Sequence, residues 1–225
     1  MSNFDHHVHT SRHSPDSVID PYELIERAKA AGLSGVVITE HDHQWESEEL
    51  AELSAFGASR DTKVFSGAEI SAREGHFLVY GLPDLDEVPP GVTVKELLKV
   101  VRAHQGAIVA AHPFRWDQNF NAIMVENGPA FDALELVSNN ITHETRSQTE
   151  RLLGEHPMGR TGSSDGHEPE IVGCYFTEFP GVINTMEEFV KALQARSGRP
   201  GNRQGGPLTS GPVAGGRGPV ARGQG

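Results

Sequence analysis

Short, continuous apolar runs alternate with amphipathic stretches along the first 196 residues, the patterning of repeated βα units around a mostly parallel sheet. The first run, residues 4–8, predicts a strand. Asp20-Pro21-Tyr22-Glu23 then combines an N-cap aspartate, a proline at the first helical position and a glutamate in capping-box position, so a helix starts there. Leu24, Ile25 and Ala28 form its buried stripe, and Gly32 is placed to end it as a left-handed cap. Val36-Val37-Ile38-Thr39 is apolar without alternation, as in a strand covered on both faces. The same reading predicts helices over 47–56, 94–104, 144–155 and 186–195, and a shorter one over 120–126. It predicts strands over 63–65, 77–80, 107–111, 133–137 and 175–179, with another near Thr161. Six to eight strands with intervening helices in fewer than 200 residues point to one α/β domain, a compact irregular (β/α) barrel, with an open doubly wound sheet as the alternative.

The pattern stops at Ser197. From there to Gly225 the chain has ten glycines, four prolines, four arginines and no acid, which predicts a disordered Gly/Pro/Arg-rich tail behind a folded domain of residues 1–196. Over the whole chain 19 basic residues face 31 acidic ones, a formal charge of −12, which argues against a protein held on duplex nucleic acid by a basic face. No stable nucleic-acid complex is expected. No apolar run approaches the roughly 20 residues that span a bilayer. The N-terminal residues lack the positive and apolar stretches of a secretory signal, so a cytoplasmic protein is expected. Cys174 is the single cysteine, which excludes an intramolecular disulfide and a zinc site built on several thiolates.

Histidine is the unusual component, with 12 residues, most of them beside carboxylates at the carboxyl ends of predicted strands. Parallel α/β folds assemble their sites there. His7 and His9 stand two apart on an extended segment and can chelate one ion, whereas His6 points the other way and reads as structural. Glu40-His41-Asp42-His43 follows the second strand, Glu69 the third, and His76 opens the next. His112 closes a buried strand, and Asp165 and His167 stand two apart after Ser163. Paired imidazoles, or a carboxylate and an imidazole, on one face of an extended segment repel or stay unsatisfied unless a cation joins them. His104, His143 and His156 fall on helices and read as packing or solvated residues.

DxHxHTS, ITEHDH, SGAEIS…GHFLVYG, AAHPFR and GSSDGHEPEIVG, in that order over positions 4–196, resemble the motifs of the PHP (polymerase and histidinol phosphatase) superfamily of metal-dependent phosphoesterases. The chain looks like a small stand-alone representative. The resemblance implies a distorted seven-stranded (β/α) barrel holding two or three divalent ions, commonly Zn, Mn or Fe. It puts His7, His9, Glu69 and Asp165 on one ion, with Glu69 bridging to a second ion held by His76 and His112. His41 and His167 are left for a third, completed from the His9–Ser17 loop by Asp16 as first choice and His13 as second. The second motif has TEH where the family commonly has TDH, so Glu40 alters the surroundings of the site rather than the ligand set. The implied reaction is hydrolysis of a phosphate ester by metal-activated water. Arg115 is the expected clamp on phosphoryl oxygens, His43 the acid for the leaving alkoxide, and Arg73, Arg12 and His13 further substrate contacts.

The expected substrate is a small monoester, a nucleotide or an oligonucleotide, a small one being favoured because no large cap is inserted. Two other readings compete. An amidohydrolase-type C–N hydrolase also places HxH after the first barrel strand, but often needs a carboxylated lysine, and Lys29, Lys63, Lys95, Lys99 and Lys191 all miss the predicted strand ends. A catalytically silent metal-binding regulatory module predicts lost ligands, whereas nearly the full set is present.

Overall fold

Asp20 accepts from the backbone N–H groups of Tyr22 and Glu23 at 2.9 and 3.2 Å and starts α1 (Pro21–Ala30) as its local sequence dictates. The expected capping box does not form, because Glu23 instead takes the Arg27 guanidinium one turn on, at 2.9 Å. The structure, a computed structural model, describes residues 1–203. The other elements are β1 (Ser2–Asp5), β2 (Gly35–His41), α2 (Ser47–Ala58), β3 (Lys63–Ala72), β4 (Gly75–Tyr80), α3 (Val94–Ala103) and β5 (Ala107–Ala110). They continue with α4 (Phe120–Asn127), β6 (Ala133–Val137), α5 (His143–Glu155), β7 (Gly159–Gly162), β8 (Tyr175–Phe179), α6 (Met186–Gln194) and β9 (Arg199–Asn202). Among the described residues no helix is long and apolar enough to cross a membrane.

The strands form one sheet in the order β7-β6-β5-β4-β3-β2-β1-β8-β9, with β1, β2 and β3 mutually parallel and β5, β6 and β7 likewise. β4 runs against both its neighbours, as does β8 against β1 and β9. The sheet curls until β7 returns to β8: Thr177 Oγ1 donates to the Gly162 carbonyl at 2.8 Å and accepts from the Gly162 N–H at 2.9 Å. A nearly closed α/β barrel results, as expected, but with nine strands among the described residues in place of seven.

Three departures from expectation have physical causes. β1 ends at Asp5 rather than at residue 8, because residues 6–9 leave the regular ladder; Val8 touches the sheet again through a bridge to Gly166 and by accepting the Thr39 N–H at 2.9 Å. β3 runs to Ala72, well past residue 65, because a two-residue turn folds β4 back along it and pairs its second edge. Gly75 makes that turn possible with φ 152°, where an added Cβ would lie 1.3 Å from Gln118 Nε2. The tail boundary at Ser197 also moves, since residues 199–202 form β9 against β8. Its composition gave no strand signal because Gly201 lies flat on the Phe176 ring, where a Cβ would meet a ring carbon at 2.5 Å. The rest of the expected tail, residues 204–225, lies outside the described residues.

Buried apolar side chains fill three regions. One lies under α3, α4 and α5 and includes Phe77, Leu97, Ile108, Phe120 and Leu134, and another lies under α1 and α2 with Leu24, Ile25, Ile38 and Leu53. The third plugs the barrel at the end where its parallel strands begin. There Phe189 of α6 packs against Phe4, Tyr80 and Phe179 with ring centroids 5.2–5.5 Å apart. One end of the barrel is thereby sealed with aromatic rings, and the polar residues converge on the other.

Candidate metal centre

At the open end, His7 and His9 follow β1, His41 ends β2, Glu69 lies within β3, and His76 stands near the start of β4. The antiparallel run of β4 is what brings His76 to this end, beside the carboxyl ends of the parallel strands. His112 follows β5, and Asp165 and His167 follow β7. His112 (φ 27°) and Asp165 (φ 51°) both occupy the left-handed region, a strained backbone that turns each side chain inward.

Glu69 is the hub. Its Oε2 lies 2.9 Å from His41 Nδ1 and 3.4 Å from both His7 Nε2 and His9 Nε2. Its Oε1 lies 2.9 Å from His76 Nδ1 and 3.2 Å from His112 Nε2. Asp165 faces it across the cluster, with Oδ1 3.3 Å from His7 Nε2 and 3.6 Å from His9 Nε2. Asp16 Oδ2 sits 3.1 Å from His41 Nε2 and 3.3 Å from His167 Nε2. Four overlapping donor groups arise: His7-His9-Glu69, His7-His112-Asp165, Glu69-His76-His112 and His9-His41-His167, each with its ligand atoms within 4.8 Å of one another.

Burial pushes the Glu69 carboxyl up, but the imidazoles of His7, His112 and His41 outweigh it and hold the group well below the usual carboxylate range. Asp165 is held down in the same way by His7, His9 and His112. Burial would lower the His7 imidazole, yet Asp165, Glu69 and Glu135 hold it well above its ordinary value. For His9 burial prevails and the value falls to about 4, while for the more open His41 the neighbouring Glu69 and Asp16 overcome burial and raise it to about 9. The buried carboxylates and the imidazoles around them thus shift one another in opposite directions, as closely packed groups of opposite charge do.

The chemistry of the donors fits divalent ions. His7 Nε2, His9 Nε2 and Glu69 Oε2 are buried and make no hydrogen bond, and an unpaired buried polar atom is costly unless something else satisfies it. Imidazole and carboxylate together suit Zn, Mn and Fe alike.

Two acids outside the expected ligand set hold it in place. Glu135, wholly buried on β6, accepts from His7 Nδ1 at 3.1 Å, from the His112 N–H at 2.8 Å and from Ser163 Oγ. A carboxylate on the far nitrogen of a ligating histidine fixes its tautomer and raises its basicity. Sequence reading missed Glu135, although it is the lone charge in the apolar run Ala133-Leu134-Glu135-Leu136-Val137, which is a usable signal. Glu40 accepts from the Thr10 N–H, Thr10 Oγ1, Ser14 Oγ and Trp45 Nε1 at 2.5–3.0 Å, so it braces the loop that carries Asp16. Asn140 was also missed; its Nδ2 donates to Asp165 Oδ2 at 2.5 Å.

The expected site residues thus divide. His7, His9, Asp16, His41, Glu69, His76, His112, Asp165 and His167 come together, and Arg115 joins them with Nη1 3.5 Å from Asp165 Oδ2. The other four, His13, His43, Arg12 and Arg73, point elsewhere. His13 lies 3.2 Å from Glu49 and its ring sits 4.0 Å from that of His43. Arg12 faces Glu49 at 3.6 Å. Arg73 is exposed and donates from Nε to the Gly91 carbonyl at 2.7 Å, because the tight β3–β4 turn swings it toward the approach to α3. His6 is structural, its ring nitrogens 2.7 Å from Tyr80 Oη and 3.0 Å from Thr177 Oγ1.

Comparison with known proteins adds a context. A family model described as PHP-associated matches residues 144–197. The uncharacterized protein MJ1587 of Methanocaldococcus jannaschii is 29% identical over 120 residues, covering 49% of this chain and 67% of that protein. A two-domain protein from Bacteroides vulgatus containing a predicted PHP-like metal-dependent phosphoesterase superimposes with a TM-score of 0.72 at 16% identity, over 89% of this chain and 64% of that one. This chain therefore spans less than two thirds of that protein's length. An amidohydrolase from Chromobacterium violaceum, solved with sulfate and no metal, gives a TM-score of 0.63 at 18% identity, over 86% of this chain and 96% of that one. At such identities the two structural likenesses are likenesses of fold, and one fold hosts many reactions.

Proposed function

We propose that this chain is a member of the PHP superfamily and a metal-dependent phosphoesterase that hydrolyses a phosphate ester with water. The observation that carries this reading is the convergence of His7 Nε2, His9 Nε2 and Glu69 Oε2, buried and without a hydrogen bond, with Asp165 opposite. Glu69 offers one oxygen to the His7-His9 group and the other to the His76-His112 group, the arrangement of a bridging carboxylate. His41, His167 and Asp16 are assigned to a further ion on the more open side. Divalent ions held by these residues would polarise phosphoryl oxygens and supply a nucleophilic water near neutral pH.

The protein's own groups do the rest. Arg115, anchored on Asp165, presents a guanidinium to the oxygens of phosphorus that gain charge in the transition state. Glu135 and Asn140 keep His7 and Asp165 from turning as charge moves. As the bond from water oxygen to phosphorus forms and the ester P–O bond breaks, the departing alkoxide takes a proton and leaves as the alcohol. The expected acid, His43, packs on His13 with ring centroids 4.0 Å apart instead of joining the cluster, so the proton is assigned to solvent water.

Turnover of p-nitrophenyl phosphate and bis-p-nitrophenyl phosphate by protein reconstituted with Zn, Mn or Fe tests the reading. Turnover of either ester is expected, with a loss of at least about 100-fold in Asp165→Asn and in His9→Ala, since each removes a ligand donor. No turnover with any of the three metals would contradict it. C–N bond hydrolysis is the second reading, favoured by the likeness to the Chromobacterium violaceum fold. Against it, Lys29, Lys63, Lys95, Lys99 and Lys191 are all exposed, which leaves no buried lysine for carboxylation at the centre.

A further inference from the structure

The segment between β5 and α4 carries three non-glycine residues in the left-handed region: His112 (φ 27°), Phe114 (φ 67°) and Trp116 (φ 53°). Bulky residues seldom adopt this conformation, so three in alternate positions must be stabilised by their surroundings. For most of the segment the stabilisation is visible. Phe114 packs against the core beneath α3–α5 and meets the Phe120 ring edge-on at 5.8 Å. The Arg115 N–H donates to the His112 carbonyl at 3.2 Å and the Gln118 N–H to the Arg115 carbonyl at 3.1 Å. Gln118 Nε2 donates to the Glu74 carbonyl at 2.6 Å, tying the segment to the β3–β4 turn.

Trp116 is different. It is 69% exposed, so its indole adds little to the core, yet the strained segment holds it against the candidate centre. Its ring centroid lies 5.4 Å from that of His76 and 5.8 Å from that of His112, both edge-on. These two histidines share a donor group with Glu69. The Arg115 guanidinium carbon lies 4.0 Å from the indole centroid, and the same side chain reaches Asp165 at 3.5 Å. Arg115 therefore spans from the carboxylate of the centre to the indole. A strained backbone that presents a large, exposed aromatic ring beside a cluster of charged groups is built for a ligand rather than for the fold.

We propose that Trp116, with Arg115 beside it, is a stacking platform for the alcohol part of the substrate, so that the ester hydrolysed carries a planar aromatic ring, the chemistry of a nucleotide. This inference rests on the phosphoesterase reading and adds to it the class of ester. A phosphoryl group at the centre places the remainder of the ester next to the indole, because His76 and His112 contact Trp116 directly. Stacking is tolerant of which base is offered, since every base has a π face. The guanidinium serves both ends: it neutralises phosphoryl oxygen and its plane extends the indole surface. With a formal charge of −12 the chain is poorly suited to track a long phosphate backbone, which favours a mononucleotide or a terminal nucleotide over duplex.

Two readouts on zinc-reconstituted protein test this. The first is the ratio of kcat/KM for adenosine 5′-monophosphate to that for ribose 5-phosphate, which has a hydroxyl at C1′ in place of adenine. The second is quenching of tryptophan emission by adenosine 5′-monophosphate. The chain has two tryptophans, and Trp45 is buried with Nε1 on Glu40, so a ring stacking from solvent reaches Trp116. The expected ratio is about 10 or more in the wild type, collapsing toward one in Trp116→Ala and largely kept in Trp116→Phe. Quenching is expected in the wild type and not in Trp116→Phe. A wild-type ratio near one without quenching overturns the platform and leaves the phosphoesterase reading standing. Quenching that Trp116→Phe abolishes, with neither ester hydrolysed, supports ring binding and overturns the phosphoesterase reading. Equal losses on both esters in Trp116→Ala, with quenching retained in Trp116→Phe, overturn the platform as well.

Discussion

Glu135 shows what a single buried carboxylate can do without touching a substrate. It holds the far nitrogen of His7 and the backbone of His112, so two candidate ligands from different strands are fixed by one side chain. Replacing it by glutamine keeps the volume but offers an amide where two acceptors are needed. Glu135→Gln is expected to weaken metal affinity by about 10- to 100-fold, with a far-UV spectrum like that of the wild type. Titration with a competing chelator measures the affinity, and an unchanged value would mean that Glu135 only fills space. At this scale the sequence was legible wherever the clustered residues sit two apart, as in His7/His9 and Asp165/His167. It was silent where a contact joins distant strands. Glu135 is 128 residues from His7, and Arg73 was expected at the centre because nothing local showed that its turn would swing it toward Gly91.

Among the elements, α6 matters most for the site it never touches. Phe189 seals the barrel opposite the candidate centre and packs on Phe4 and on His6, the neighbour of His7. Phe189→Ala is expected to cost about 3–5 kcal/mol of stability, read from the denaturation midpoint in urea, because it empties a site closed on all sides. A loss below about 1 kcal/mol would mean that the plug is dispensable. The helices were legible because their signals are local: Asp20 caps α1, and Thr93 with Glu96 makes the capping box of α3. The length of β3 was not, since it depends on pairing with β4, and β9 was not, since its glycine-rich sequence is stabilised by contact with Phe176 rather than by its own apolar pattern.

Over the whole molecule, the two ends of the barrel have opposite characters. Aromatic packing closes one, and the other gathers Glu69, Asp165 and their histidines into a charged cluster whose members come from six strand ends spread over 160 residues of sequence, from His7 to His167. A chain with a formal charge of −12 attracts cations in general, but four overlapping groups of imidazole and carboxylate donors offer specific places for divalent ions. Sulfate in the Chromobacterium violaceum fold is a property of that protein; in this chain the indication is three buried donor atoms without a hydrogen bond, His7 Nε2, His9 Nε2 and Glu69 Oε2. The most direct test of the account is the number of divalent ions per chain, counted by elemental analysis after reconstitution with Zn, Mn or Fe and removal of excess metal. The account predicts two or three per chain, falling in His9→Ala and Asp165→Asn. Fewer than one per chain with every metal would contradict it.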